Sequence, residues 1–121
     1  MKILISGAGI AGLTLAYWLE KQGHEIDLID KRSEEQHENG YIIYFWGAGR
    51  EVADRMGILP AIQLLNQDVS LLNYMKHNGK LSASMSVKSL RAMMAHKVSI
   101  LLRGDLLNCL SQSVKTTVQY N

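Results

Sequence analysis

A run of spaced glycines carries the most specific chemical signal in the chain. Gly7-Ala8-Gly9-Ile10-Ala11-Gly12 has the GxGxxG spacing. The first glycine permits a tight turn, the second lets backbone approach a pyrophosphate, and the third lets a helix pack closely on the preceding strand. Free N–H groups in a helix opening at Ile10 and Ala11, with the positive end of its dipole, hold phosphate oxygens without a charged side chain. Asp30 follows Gly12 by 18 residues, a position where a carboxylate accepts hydrogen bonds from a ribose hydroxyl. The expected ligand is an adenine dinucleotide, set against a glycine turn that binds nothing. NAD and FAD sites share this opening, and Asp30 argues only against a required 2′-phosphate contact at that ribose. Lys31 and Arg32 follow, within reach of a phosphate or the adenine face, against the alternative of two solvated loop charges.

Other residue types capable of chemistry are dispersed. His24, His37, His77 and His96 form no cluster, and no carboxylate pair or nucleophile elbow accompanies them. No catalytic residue and no metal site is expected. Cys109 is the single cysteine, so it forms no internal disulfide and reads as a small buried hydrophobe in a reducing compartment. Trp46 and Met93-Met94 have the character of pocket-lining residues but fit a core equally well.

The elements that must position the glycines follow from the apolar pattern. Lys2 to Ser6 reads as a strand buried on both faces of a parallel sheet. Ile10 to about Gln22 suits a helix capped at Gly23, and Glu25 to Asp30 suits a second strand. Together they make one βαβ unit of the usual size. Lys31 to Gly40 is charged and reads as an exposed loop. Tyr41 to Phe45 is β-prone, a helix from about Ala48 ends at Gly57, and Pro60 suits the first turn of a short helix. Val69 to Lys76 and Lys80 to Val87 flank His77-Asn78-Gly79, a strong hairpin signal. Val98 to Leu102 is a short apolar run, Gly104 to Ser113 looks helical, and Thr116 to Tyr120 suits a final strand.

At 121 residues and 47% hydrophobic content the chain has the makings of one domain. Its 13 basic and 11 acidic residues read as scattered, so nucleic acid is not an expected partner. The apolar run from Ile3 to Leu19 superficially resembles a secretory signal, but its glycines argue against that and no stretch reaches the roughly 20 apolar residues of a membrane span. A soluble, cytoplasmic chain is expected.

Three blocks then resemble the N-terminal part of the FAD-dependent aromatic-ring hydroxylases, the flavoprotein monooxygenases related to salicylate and para-hydroxybenzoate hydroxylase. They are ILISGAGIAGLTLAYWLEKQGHEIDLIDKR (3–32), GYIIYFWGAGREVADRMGIL (40–59) and ILLRGDLLNCL (100–110), in that order with the hairpin between the second and third. The resemblance implies an α/β fold, a Rossmann-like FAD-binding βαβ unit with a β-hairpin insertion, forming a single partial FAD-binding domain over residues 1–121. It implies that Gly7, Gly9 and Gly12 surround the FAD pyrophosphate, that Asp30 binds the adenosine ribose, and that Arg103 approaches the cofactor near its phosphates or ribityl chain. A guanidinium just before a helix makes paired hydrogen bonds that lysine cannot match.

The implied activity is oxidation of a small organic substrate with NAD(P)H as reductant and O₂ as oxidant. His37, Glu38 and Asn39 stand where many relatives carry an arginine, and the family's later Asp-Gly and Gly-Asp motifs lie beyond residue 121. The chain is therefore expected to be incomplete relative to the family. Its partners would be the dinucleotide, a substrate if completed, and a second copy or a completing chain. Two other readings remain open here: a non-catalytic, self-associating adenine-dinucleotide module, and a small NAD-binding oxidoreductase.

Overall fold

The computed structural model describes residues 1–32 and 40–120. In chain order the elements are β1 (Lys2–Ser6), α1 (Ile10–Lys21), β2 (Glu25–Asp30), β3 (Ile42–Phe45), α2 (Gly47–Arg55) and α3 (Leu59–Leu64). They continue with β4 (Leu71–Met75), β5 (Leu81–Ser86), α4 (Val87–Met93), β6 (Ser99–Leu102), α5 (Arg103–Ser113) and β7 (Val118–Tyr120). Most of the expected Lys31-to-Gly40 loop, with His37, Glu38 and Asn39, lies outside the described residues.

The βαβ unit forms where the sequence places it. Gly7 leaves β1 with φ +109°, a conformation open mainly to glycine. Gln22 ends α1, and Gly23, at φ +86°, donates its N–H to the Glu20 carbonyl at 2.9 Å. The chain thus reverses into β2, which pairs parallel with β1 from Lys2↔Glu25 to Ser6↔Ile29. On the other side of β2, β7 pairs in parallel from Leu28↔Val118 to Asp30↔Tyr120. Glu20 fixes that return: its two carboxylate oxygens accept the Lys115 and Thr116 N–H groups, each at 2.8 Å. The Thr116 hydroxyl donates to the Ile26 carbonyl at 2.5 Å.

Strand order is therefore β1-β2-β7, with β2 central and β1 at an edge. Helices α1 and α5 pack together, and Leu13, Ala16, Ile26, Leu28, Leu106, Leu107 and Leu110 bury themselves in the resulting core. The expectation that β1 is covered on both faces is corrected. Ile5 is buried, but Leu4, pointing the opposite way, is 64% exposed. Among the described residues only one face of the sheet carries helices, so the continuous apolar character of β1 exceeds what they cover.

The remaining strands form two small antiparallel sheets. β3 pairs with β6 from Ile42↔Leu102 to Phe45↔Ser99, which carries residue 40 back to the start of α5. β4 and β5 form the expected hairpin. Its turn closes with the Gly79 N–H donated to the Lys76 carbonyl at 2.9 Å, and among its residues only Gly79 takes a positive φ, +78°. That matches a three-residue loop with a bulged glycine rather than a two-residue loop, which would need positive φ at Asn78 as well. A helix not expected from sequence, α4, starts at Val87, where the strand reading ended.

Candidate dinucleotide-binding site

The glycine turn is built by mutual exclusion of side chains. Gly7 donates its N–H to the Ile29 carbonyl at 2.7 Å, tying the end of β1 to β2. Gly12 faces back onto this turn, and a Cβ there would collide with the Gly7 carbonyl oxygen. Close packing of helix on turn thus requires glycine at position 12. Gly9 is the N-cap of α1, in an extended conformation, and no side chain caps the helix. The first-turn N–H groups, around Ile10 and Ala11, have no acceptor within the helix.

Two guanidinium groups stand over Gly9. The Nη2 atoms of Arg32 and Arg103 lie 3.7 and 4.0 Å from the point a Gly9 Cβ would occupy. They come from different ends of the fold, Arg32 just after β2 and Arg103 at the first residue of α5. The Arg103 N–H donates to the Tyr41 carbonyl at 3.0 Å. Gly40 allows this approach: a Cβ there would sit 2.7 Å from the Gly104 nitrogen and 2.9 Å from the Arg103 Cβ. Among the described residues no carboxylate pairs with Arg103. Lys31 is exposed and makes no such approach.

Asp30, 4% exposed, is the electrostatic centre of the turn. Its Oδ2 accepts the Ala8 N–H at 2.7 Å and Arg32 Nη2 at 2.8 Å, and its Oδ1 accepts the Arg32 N–H at 2.9 Å and Nε at 3.1 Å. The hydrogen bonds from the Arg32 side chain hold the carboxyl far below the usual carboxylate range, against the opposing effect of burial, with the Arg32 and Ala8 backbone N–H groups adding to the shift. Arg32 is accordingly a paired residue and not simply a solvated loop charge.

Sequence reasoning located the glycines, Asp30, Arg32 and Arg103, which the fold brings together. It missed Ala8, whose N–H is spent on Asp30, and Gly40, whose signal was its place at the head of the second family-like block. The other candidates lie elsewhere. His24, His77 and His96 join no group of potential metal ligands among the described residues. Trp46 is 58% exposed and lines a surface groove with Tyr44, Tyr74 and Met94, while Met93 is 81% exposed, so Trp46 and Met93 are not core. An apolar cavity of about 440 Å³ lies between α1, α2, α3 and α5. Its lining from Ile10 to Leu110 contains no titratable group, which leaves it unsuited to acid–base chemistry. Cys109 is half-buried, and that burial pushes its thiol pKa up, in keeping with an inert residue.

Comparison with known proteins bears on the fold and on the glycine-containing segment. Residues 5–34 match the NAD(P)-binding Rossmann-like domain. A flavin-dependent monooxygenase of an unknown prokaryotic organism is 30% identical over 113 residues, covering 93% of this chain and 29% of that protein. In sequence and fold the chain resembles the N-terminal part of flavin-dependent monooxygenases.

The FAD-dependent monooxygenase adrH of Penicillium rubens is 28% identical over 112 residues, covering 93% of this chain and 25% of its own length. The crystal structure of the tetracycline destructase Tet(51) superposes with a TM-score of 0.76 at 26% identity, covering 99% of this chain and 30% of that one. The chain thus spans between a quarter and a third of the length of these relatives. The expected α/β fold, Rossmann-like unit and family resemblance are borne out. Among the described residues no helix is long and apolar enough to cross a membrane.

Proposed function

We propose that residues 1–121 act as one FAD-binding unit of a flavoprotein monooxygenase. In this reading Gly7, Gly9, Ile10, Ala11 and Gly12 surround the pyrophosphate, and Arg103 meets it from α5. Asp30 serves the adenosine ribose, and Lys31 and Arg32 serve a phosphate or the adenine face. The observation that carries the proposal is the convergence of an uncapped helix N-terminus and two guanidiniums on Gly9, a residue with no side chain to obstruct a ligand. FAD supplies the redox chemistry when bound, with NAD(P)H as reductant and O₂ as oxidant of a small organic substrate. The residues of this chain bind and orient: helix and guanidiniums neutralise phosphate charge, and the Asp30 carboxylate stays ionised to accept hydrogen bonds. A cytoplasmic location belongs to the same reading, supported by a lone cysteine without a disulfide partner.

The test is the visible spectrum of the purified chain before and after FAD is added and the excess removed, with NAD titrated as a competitor. A retained flavin band and weaker binding of NAD are expected. A colourless protein, or NAD bound more tightly than FAD, would overturn the proposal.

The exposed edge of β1, with Leu4 turned to solvent, supports association with a second copy or with a chain that completes the sheet. Light scattering should then report a species heavier than the monomer or a complex with the completing chain, and a strict monomer under both conditions would contradict it.

A further inference from the structure

We propose that Arg32 sets the preference of this site for phosphorylated ligands, by occupying Asp30 in the free chain and moving to the phosphate when one binds. The inference rests on the dinucleotide reading above and concerns how that site discriminates. An ionised carboxylate offers about four lone-pair positions. Four donors from the described residues reach Asp30: the N–H groups of Ala8 and Arg32, and Nε and Nη2 of the Arg32 side chain. The two backbone donors are fixed by the glycine turn and by the end of β2. The two side-chain donors are the removable ones. A ribose hydroxyl seeking Asp30 therefore competes with the Arg32 guanidinium, in a place only 4% exposed.

The same guanidinium has a second acceptor within a short movement. Its Nη2 lies 3.7 Å from the Cβ point of Gly9, where a pyrophosphate crossing the helix N-terminus would put its oxygens. A ligand carrying phosphate exchanges one ion pair for another as Arg32 leaves Asp30, and the vacated carboxylate positions take the ribose hydroxyl. A nucleoside without phosphate must break the Asp30–Arg32 pair and give the arginine nothing in return. Among the described residues Arg32 alone makes an ion pair with Asp30; Lys31 is exposed, and Arg103, whose backbone N–H is tied to the Tyr41 carbonyl, adds charge over Gly9.

The test is a set of NMR titrations of the full chain with adenosine, ADP and inorganic pyrophosphate, following the amide signals of Ala8, Gly9 and Arg32. Arg32→Ala should weaken ADP and pyrophosphate on the order of tenfold, the loss of a charge-assisted pair, and should strengthen adenosine severalfold. Arg32→Lys, which keeps the charge but not the forked geometry, should show the same gain for adenosine and retain part of the ADP affinity. Should the alanine variant fail to fold, the adenosine-to-ADP ratio of the lysine variant decides. Equal weakening of adenosine and ADP, or no change in either, would overturn the inference and leave Arg32 as a support for Asp30. If the unmodified chain binds neither ADP nor pyrophosphate, the dinucleotide reading fails and this inference falls with it.

Discussion

In the β1–α1–β2 unit Leu13, Ala16 and Leu28 are fully enclosed, whereas in the β4–β5 hairpin Leu71, Tyr74, Met75 and Leu81 are each more than half exposed. The two regions differ in charge as well. Between Val69 and Leu102 the sequence has no aspartate or glutamate while carrying Lys76, Lys80, Lys88, Arg91 and Lys97, so the charges are less evenly scattered than a simple count suggests. In the first region Glu25 and Asp27 pair with Lys2, and Asp30 pairs with Arg32. The contrast teaches that this chain builds its glycine turn from its own residues, and that the hairpin depends on little beyond its own ladder. An isolated two-stranded ribbon is marginal in water.

The largest effect expected is at Gly12. Gly12→Ala drives a methyl into the Gly7 carbonyl, and helix and turn cannot both stay in place; a loss of about 3 kcal/mol or more in urea unfolding is expected. A near-neutral result would mean that the turn is as yielding as the hairpin. Asp30→Asn should cost about 2 kcal/mol, because the Ala8 N–H and the Arg32 side chain lose a charged acceptor. It also removes a pH dependence whose sign is fixed. The Asp30 pKa is depressed in the folded chain, so its contribution is present above the unfolded carboxyl pKa of about 3.9 and is lost as pH falls below it towards the folded value. Acid titration of stability should be correspondingly shallower in the Asn variant.

Smaller effects belong to the second region. Gly79→Ala places a side chain at φ +78° and should cost about 1 kcal/mol, seen as faster amide exchange in β4 and β5 with β1 and β2 unchanged. If protection in β1 and β2 fell equally, the two regions would be one cooperative unit. Leu4→Lys, at an exposed position on the edge strand, should change stability by less than about 0.5 kcal/mol. Its effect should appear in light scattering as reduced self-association.

Local features were legible in the sequence because local chemistry causes them. Gly7 of the GxGxxG, Gly23 and Gly79 of the hairpin turn each mark a backbone conformation that few other residues adopt, and Gly12 marks a close approach that only glycine allows. Pairings across long separations left no such mark. Nothing in YIIYF or SILL announces that β3 and β6 meet, and Glu20 gave no sign of receiving the N–H groups of Lys115 and Thr116. The strand reading ran through Val87 because a β-branched, apolar residue fits a strand as well as the first turn of α4, and only its burial beyond the hairpin separates the two. At the site, Asp30 and Arg32 were visible singly. Their bidentate pairing depends on the bend after β2, and the meeting of Arg32 with Arg103 depends on β3 and β6 bringing residue 103 back to Gly9.

The most direct measurement is residue-resolved hydrogen exchange of the full chain with and without saturating FAD. The account predicts slower exchange confined to the turn and first helical residues from Gly7 to Thr14, to Asp30 and Arg32, and to the start of α5 at Arg103, with the hairpin unchanged. Slowing spread evenly along the chain, or centred on β4 and β5, would contradict the claim that the glycine turn and its two arginines form the binding site.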